Sequence, residues 1–181
     1  MPRDLPADLP DLPDLVVSES AVAVSVLRVR DPETAATRLG EAFAMPWPTT
    51  PNLVFGETPR VAWLAPGEWA IFAPGDALDA RVSAACAGLT HHLADVSAGR
   101  RRWRIEGVLA RDLLAKGCSL DTDPRVFAPG QCAQSLLAQV FILLLPQPPA
   151  NGGAAFDIVA DVSLAGHLRA WLADAALEFQ P

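Results

Sequence analysis

The order of predicted elements occurs twice along this chain, and this repetition limits the fold more than any other feature. In the first half a strand, a helix, two strands and a second helix precede a strand at His92–Val96. In the second half the same order begins with a strand at Arg101–Ile105 and ends with a helix. The pattern predicts an α+β fold, made of two β-α-β-β-α units with antiparallel sheets and helices on one side of each.

The opening elements of the first half have clear boundary signals. Ala21–Val29 is apolar on both faces, which predicts one strand in the centre of a sheet. Asp31 followed by Pro32 is typical of a helix N-terminus, and the predicted helix ends near Ala44. The sequence therefore indicates a strand and helix joined by a short loop.

A hairpin and a second helix complete the first half. Arg60–Leu64 and Glu68–Phe72 flank Pro66-Gly67, which suits a type II turn because glycine accepts the positive φ that the turn requires. Asp76 is the predicted cap of the helix that follows. Its buried face is predicted from residues four apart: Leu78, Val82 and Cys86.

The second half contains the most distinctive segment, Arg111–Gln134. The sequence predicts a helix at Val108–Lys116, which stops at a left-handed Gly117, and then an Asp/Pro-rich turn. The remaining predicted elements are a strand Gln134–Leu145, a turn at Asn151-Gly152-Gly153, a strand Phe156–Ala160 and a last helix capped by Ser163.

The chain divides into an N-terminal arm and one domain. Residues 1–18 repeat Asp, Leu and Pro, and such a sequence disfavours regular pairing and repels itself, so a disordered acidic arm is predicted. An extended strap on a neighbour is the alternative. Residues 19–181 form the predicted domain, with two lobes at about 19–97 and 98–181.

Composition and charge exclude several classes of function. Hydrophobic residues make up 51% of the chain and charged residues 19%, so the apolar excess either fills the core or forms patches that a partner covers. The net charge of −7 argues against nucleic-acid binding, because an acidic chain repels phosphate. The longest apolar run, Val140–Leu145, is too short to span a membrane.

The cysteines and the N-terminus indicate a cytoplasmic protein. Cys86, Cys118 and Cys132 are an odd number and form no CxxC pair, which is typical of reduced thiols. Cys118 and Cys132 are close enough in the predicted fold to approach each other, but buried small apolar residues are the preferred interpretation. The acidic N-terminus lacks the pattern of a signal peptide.

One basic cluster is the candidate interaction site. Arg100, Arg102 and Arg104 are the candidate interface residues, and Arg102 and Arg104 share one face of their strand. Trp103 and Ile105 lie on the other face, which is predicted to be core. The arginines form either a solvated face, a docking site for an acidic partner surface, or a site for a ligand phosphate or carboxylate.

No catalytic, cofactor-binding or metal-binding residues are predicted. His91, His92 and His167 lack the spacing of a metal site, since adjacent residues on a strand point to opposite faces. The sequence has no nucleophile elbow, zinc-protease motif, phosphate loop or dinucleotide motif. Nothing assembles a nucleophile, a base and an orienting group.

Several motifs together resemble the gamma subunit family of heterotetrameric sarcosine oxidase, from about residue 20 to the C-terminus. The Arg111–Gln134 segment is the most specific of them. Two departures occur: Asp121-Thr122-Asp123-Pro124 replaces a frequent His before Pro, and Asp161 replaces a frequent Arg. The other matching motifs are Trp63-Leu64-x-Pro66-x-Glu68-Trp69, Asp95-Val96-Ser97, Phe156-Asp157 and Trp171-Leu172.

The resemblance implies a noncatalytic subunit of a flavoenzyme. That complex oxidises sarcosine to glycine, with formation of hydrogen peroxide and methylene-tetrahydrofolate. In the family, the alpha subunit carries FAD, NAD and the tetrahydrofolate site, beta carries FMN and delta carries zinc, whereas gamma carries no cofactor. The implied partners are therefore the alpha, beta and delta subunits.

The family is also similar to the folate-binding domain of the glycine-cleavage aminomethyltransferase. In the transferase, paired aspartates after the Pro129-Gly130-Gln131 turn act on the folate. The resemblance places Val140–Leu145 there, which has no carboxylate, so proton transfer at that place is lost. Two alternatives remain: a stand-alone folate-binding or one-carbon protein, and the equivalent subunit of another N-methyl amine oxidase complex.

Overall fold

The computed structural model describes residues 9–72, 77–150 and 152–180. The chain divides into two compact units. One, the six-stranded unit, contains the described residues up to Ala21, Gly99–Pro129 and those from Ala133 onward; the five-stranded unit contains Val22–Ala98 and Gly130–Cys132. The strands in chain order are β1 (Asp11–Leu12), β2 (Leu15–Ala21), β3 (Ser25–Val29), β4 (Val54–Phe55), β5 (Arg60–Ala65), β6 (Glu68–Phe72), β7 (His91–Asp95), β8 (Arg100–Gly107), β9 (Ala133–Leu137), β10 (Val140–Ala150) and β11 (Gly153–Asp161).

Four α-helices accompany these strands in the described ranges. They are α1 (Pro32–Phe43), α2 (Ala77–Ala85), α3 (Ala110–Ala115) and α4 (Ala165–Ala175). The predicted α+β class with antiparallel sheets is confirmed, because every strand pairing given for the two sheets is antiparallel. The sequence predicts lobes at about 19–97 and 98–181, whereas the structural units group the described residues up to Ala21 with Gly99–Pro129, and Gly130–Cys132 with Val22–Ala98.

The five-stranded unit has the strand order β4-β5-β6-β3-β7. Its first helix begins as predicted, with the Thr34 N–H donating to Asp31 Oδ1 at 3.2 Å and Pro32 in the first turn. The second helix buries Leu78, Val82 and Cys86 as predicted, whereas its predicted cap Asp76 lies outside the described residues. Further core residues are Leu27, Leu39, Trp69 and Ile71.

The β5–β6 hairpin confirms the predicted Pro66-Gly67 turn. Gly67 has φ 74°, a backbone conformation that is unfavourable for a residue with a side chain. A Cβ atom there would also lie 2.5 Å from the carbonyl oxygen of Val29. Glycine at this position therefore satisfies both the turn and its close contact with the end of β3.

The six-stranded unit has the strand order β1-β2-β8-β11-β10-β9. On one side of this sheet a continuous apolar core includes residues from its strands and from α3 and α4. Its fully buried members include Leu15, Trp103, Ile105, Leu113, Leu114, Phe156, Leu168 and Leu172. The predicted burial of Trp103 and Ile105 is thus confirmed.

The N-terminal segment differs from two predictions. Residues 9–18 are not a disordered arm, since β2 pairs with β8 and buries Leu15 and Val17 in the core of the six-stranded unit. The predicted strand Ala21–Val29 is also wrong, because β2 ends at Ala21 and β3 begins at Ser25 in the other sheet. Apolar burial outweighs the repulsion between carboxylates in this segment. Residues 1–8 lie outside the described residues.

The predicted strand Gln134–Leu145 is likewise wrong. Ala138 and Gln139 form a turn between β9 and β10, with φ values of 50° and 66°. Neither residue is the glycine or asparagine that usually indicates such a turn. The turn is held by main-chain contacts, because the Ala138 N–H donates to the Gly117 carbonyl at 3.0 Å.

Two predicted helix boundaries also require correction. Gly117 has no positive φ and is not a left-handed stop. Its function is close packing, since a Cβ atom there would lie 2.5 Å from Trp171 Cζ2. The last helix is not capped by Ser163: Asp161 accepts from the Ser163 N–H at 2.9 Å and caps a short 3-10 turn before α4.

Candidate functional site

The three candidate arginines lie on one face of β8. Arg100, Arg102 and Arg104 alternate with Arg101, Trp103 and Ile105, so the structure brings the predicted residues together on the side away from the apolar core. β8 lies between β2 and β11, which hold its backbone on both sides. The guanidinium groups are therefore presented from a rigid strand.

Two of these arginines are paired within the chain. Arg100 Nη1 lies 2.9 Å from Asp161 Oδ2, and Arg104 Nη1 lies 3.3 Å from Asp157 Oδ1. The hydrogen bond with Ser163, followed by weaker effects that include the charge of Arg100, lowers the pKa of Asp161. Arg104 Nε also lies 3.2 Å from Glu106 Oε2 on β8 itself, so much of the positive charge on this face is balanced by carboxylates of β11 and β8.

Arg102 differs from its two neighbours. Its Nε donates to the Ser20 hydroxyl at 3.1 Å, and no ion pair of Arg102 is found within the described ranges. It is also the most exposed of the three. Arg102 is therefore the arginine of this face with most capacity to pair with an acidic group on another protein.

Within the Arg111–Gln134 segment, the Asp/Pro-rich part after α3 folds as a turn held by several hydrogen bonds. The Asp123 carboxylate accepts from the Arg125 backbone and, at 2.9 and 2.8 Å, from its guanidinium. The Arg125 side-chain hydrogen bond is the largest cause of the lowered pKa of Asp123. Arg111 Nε donates to the Thr122 carbonyl at 2.8 Å. This arrangement supports a loop structure and leaves these groups poorly suited to proton transfer.

The thiols in this segment are buried and free. Cys118 Sγ lies 3.8 Å from the Ser135 hydroxyl in the six-stranded unit, whereas Cys132 Sγ donates to the Trp63 carbonyl at 3.3 Å in the five-stranded unit. All three cysteines are unbonded to one another. They pack as small apolar residues, as preferred from the sequence.

The Cys132 thiol is expected to make stability fall at alkaline pH. Burial raises the pKa of Cys132 from 9.0 to about 11, so the unfolded chain loses this proton at lower pH than the folded chain. Stability from this group is fully present below pH 9 and is lost progressively between pH 9 and 11. Urea unfolding at several pH values across this range measures how the free energy of unfolding falls with pH. Cys132→Ala should make that fall shallower, and an unchanged fall would show that other groups cause it.

The histidines do not assemble into a ligand site. His91 Nδ1 lies 3.0 Å from the Leu89 carbonyl, and His167 Nε2 lies 3.1 Å from the Ala138 carbonyl. Among the residues that the structure describes, no group of three or more His, Cys, Asp or Glu side chains is arranged to hold a metal ion. No helix in those ranges is long and apolar enough to cross a membrane.

Strand β10 contains an exposed feature that its sequence alone does not predict. Val140, Ile142 and Leu144 of β10 are buried in the core. Phe141 is instead 68% exposed, and its cross-strand partner Leu136 is 49% exposed. The available signal was the absence of Asp, Glu, Lys, Arg and His from Val126 to Phe156.

The sequence of this chain is similar to those of known proteins. The model of the sarcosine oxidase, gamma subunit family matches residues 28–178. A curated relative, sarcosine oxidase subunit gamma from Corynebacterium sp. (strain U-96), is 29% identical over 156 residues, covering 84% of this chain and 74% of the relative.

Solved structures extend the comparison. Heterotetrameric sarcosine oxidase from Corynebacterium sp. U-96, in complex with pyrrole 2-carboxylate, contains a chain that matches with a TM-score of 0.82 and 26% identity, over 97% of this chain and 90% of that one. Aminomethyltransferase T of the Bartonella henselae glycine cleavage system matches with a TM-score of 0.61 and 14% identity, over 88% of this chain and 45% of the transferase, and this likeness shows the fold alone. Since the family model spans most of the residues, the chain belongs to the sarcosine oxidase gamma subunit family.

Proposed function

We propose that this chain is the noncatalytic gamma subunit of a heterotetrameric sarcosine oxidase. The observation that supports this most strongly is the match over 97% of the chain to a subunit of such a complex. The complex would demethylate sarcosine oxidatively to glycine in the cytoplasm, with hydrogen peroxide and methylene-tetrahydrofolate as further products.

The partners would be the alpha, beta and delta subunits. FAD, FMN, NAD, tetrahydrofolate and zinc would belong to those subunits. In this chain the segment Val140–Leu145 contributes six apolar side chains to β10 and no carboxylate. A strand of this kind stabilises a sheet and supplies no acid or base for an amine intermediate.

The gamma chain would contribute to assembly through its surface. Arg100, Arg102 and Arg104 are the proposed interface residues. Arg102 is the strongest candidate among them, because Arg100 and Arg104 have carboxylate partners within the chain. A partner carboxylate placed opposite Arg102 would form an ion pair and fix the orientation of the two subunits.

Co-purification tests the proposed function. The tagged chain would be expressed with the candidate alpha, beta and delta subunits encoded in the same organism, purified, and analysed by mass spectrometry and flavin absorbance. Two large flavin-containing chains and a small zinc-containing chain are expected, together with turnover of sarcosine. Recovery of the chain alone and colourless would overturn the proposal.

Arg102→Glu is expected to weaken assembly of that complex at least about tenfold, because it places a like charge opposite the proposed partner carboxylate. The matched control is Arg30→Glu, which makes the same change of charge at an exposed residue of the other unit. Assembly is measured by titrating the remaining subunits against each variant at fixed ionic strength. Equal affinities for both variants would contradict a docking function of Arg102.

Two alternatives give different results in these experiments. A stand-alone folate-binding or one-carbon protein would bind tetrahydrofolate without partners, which a fluorescence titration of the isolated chain measures. The subunit of another N-methyl amine oxidase complex would assemble in the same way but turn over a different amine. Only the likeness of fold to the aminomethyltransferase favours the first alternative, and Val140–Leu145 argues against catalysis there.

A further inference from the structure

An uncharged strand forms one edge of the six-stranded sheet. β9 is last in the strand order and pairs with β10. It lies within the stretch from Val126 to Phe156, which lacks every ionisable Asp, Glu, Lys, Arg and His. Edge strands are ordinarily protected from further pairing by lysine, proline or a bulge. The sequence of β9, Ala133–Leu137, contains no lysine or proline, and its register with β10 is continuous.

The exposed pair Leu136 and Phe141 lies at this edge. Leu137 and Val140 flank the two-residue turn, and the closing pair of such a hairpin exchanges both main-chain hydrogen bonds. The next pair, Leu136 and Phe141, is therefore a non-hydrogen-bonded pair with close side chains. It follows that the N–H and C=O groups of Leu136 point away from β10, toward the side on which no further strand of the described residues pairs with β9.

This apolar pair is continuous with the arginine face. Ile142 is opposite Ala160, and Asp161 is opposite Arg100. Phe141 precedes Ile142 and lies on the same side of the sheet as Asp161 and Arg100, away from the core. The exposed apolar pair and the Arg100–Asp161 ion pair therefore occupy the same end of one sheet face.

We propose that β9 is a docking edge to which a partner subunit adds an uncharged, extended segment as a further strand. The inference rests on the proposed function, since it assigns the partner to a subunit of the same complex. Main-chain hydrogen bonds to Leu136 would hold the segment, and an apolar side chain would cover Leu136 and Phe141. The segment is uncharged because Arg100 and Asp161, the charged groups beside Phe141 on this face, already pair with each other, so a further charge buried against Leu136 and Phe141 would be left unpaired.

Other occupants fit the geometry less well. The described N-terminal strands β1 and β2 lie at the opposite edge of the sheet, so they are not positioned to cover β9. A second copy pairing through β9 would make a contact about 17 Å long. That contact supplies only a small part of the about 800 Å² per partner that a stable interface buries. A different subunit that also covers the arginine face has the larger area available.

The test uses the co-expressed complex. It distinguishes the contribution of the Leu136 main chain to association from that of its side chain. Leu136→Pro removes an N–H that points away from β10, while Leu136→Ala keeps it. Phe141→Lys places a charge on the strip, and Val108→Lys is the matched control, because Val108 is 58% exposed and lies outside β9 and β10. Far-UV circular dichroism and thermal unfolding of each chain verify that the variants are folded.

We expect Leu136→Pro and Phe141→Lys to weaken association with the remaining subunits at least tenfold, with Leu136→Ala less affected and Val108→Lys unchanged. Hydrogen exchange of the β9 peptide should slow on assembly. If the folded Leu136→Pro and Phe141→Lys chains assemble with the remaining subunits as well as the wild-type chain does, the docking edge is overturned and the proposed function stays intact. Failure of the wild-type chain to associate would overturn both. If the isolated chain self-associates and Leu136→Pro abolishes that self-association, the occupant of the β9 edge is a second copy of this chain and not a partner subunit.

Discussion

Replacing Leu15 by alanine is expected to lower the free energy of unfolding by about 3 kcal/mol. Leu15 is fully buried in the core of the six-stranded unit, although Val22–Ala98 of the other unit separates its segment from the next segment of that core. The loss comprises the transfer free energy of the removed methyl groups and the cavity that a close-packed core retains. Urea denaturation followed by far-UV circular dichroism measures it.

Ser18→Ala is the matched control for this change. Ser18 lies on the same strand, is exposed, and is opposite Arg104 of β8. A substitution there should alter stability by less than about 0.5 kcal/mol. If Leu15→Ala had as little effect as Ser18→Ala, β2 would contribute nothing to the stability of the sheet and its observed pairing with β8 would be wrong.

Gly117→Ala is expected to destabilise the chain by about 2 kcal/mol. The new methyl group would lie 2.5 and 2.8 Å from Trp171 ring atoms and 3.2 Å from the Ala138 nitrogen. Relief requires that the ring of Trp171 move, and the β9–β10 turn is also held to Gly117 through the Ala138 N–H. The measurement is the free energy of unfolding, with near-UV circular dichroism to report the tryptophan environment.

Gly166→Ala provides a comparison of the same chemical change in open space. A Cβ atom at Gly166, in the first turn of α4, meets no heavy atom within 4 Å. Alanine is the better helix former, so this variant should keep or raise stability by up to about 1 kcal/mol. A Gly117→Ala variant as stable as Gly166→Ala would show that Trp171 does not pack on Gly117 in solution.

The elements with strong local signals were predictable from the sequence. The Asp31-Pro32 helix start, the Pro66-Gly67 turn and the burial of Trp103 follow from capping, turn and alternation rules that depend on few residues. The family resemblance was likewise predictable, because the Arg111–Gln134 segment is distinctive. The sequence predicts a left-handed stop at Gly117 of this segment, because it gives no information about the ring of Trp171 that packs there.

The two strand predictions that failed have a common physical cause. The sequence predicts Ala21–Val29 and Gln134–Leu145 each as one strand, because both are mainly apolar and contain no Gly or Pro. Tertiary pairing divides the first between two sheets and folds the second at Ala138 and Gln139. Main-chain contacts to distant residues determine such breaks, and local propensity does not record them.

The candidate site was predicted only in part. The shared face of Arg102 and Arg104 follows from strand alternation. The Asp161 and Asp157 carboxylates that pair with Arg100 and Arg104 lie on β11, about fifty to sixty residues later in the chain. The sequence does not indicate the exposed pair Leu136 and Phe141, because it does not indicate the turn between them. A run without charged residues is consistent with a buried strand as well as with a covered edge.

The pairing of β2 with β8 also has a consequence for synthesis of the chain. Leu15–Ala21 leaves the ribosome early, but Arg100–Gly107 follows only after the five-stranded unit has been translated through Ala98. At ordinary elongation rates this interval is on the order of ten seconds. During that time the nascent β2 exposes Leu15 and Val17 without its partner strand, so the newborn polypeptide has a defined interval in which a chaperone that binds extended apolar segments would protect it.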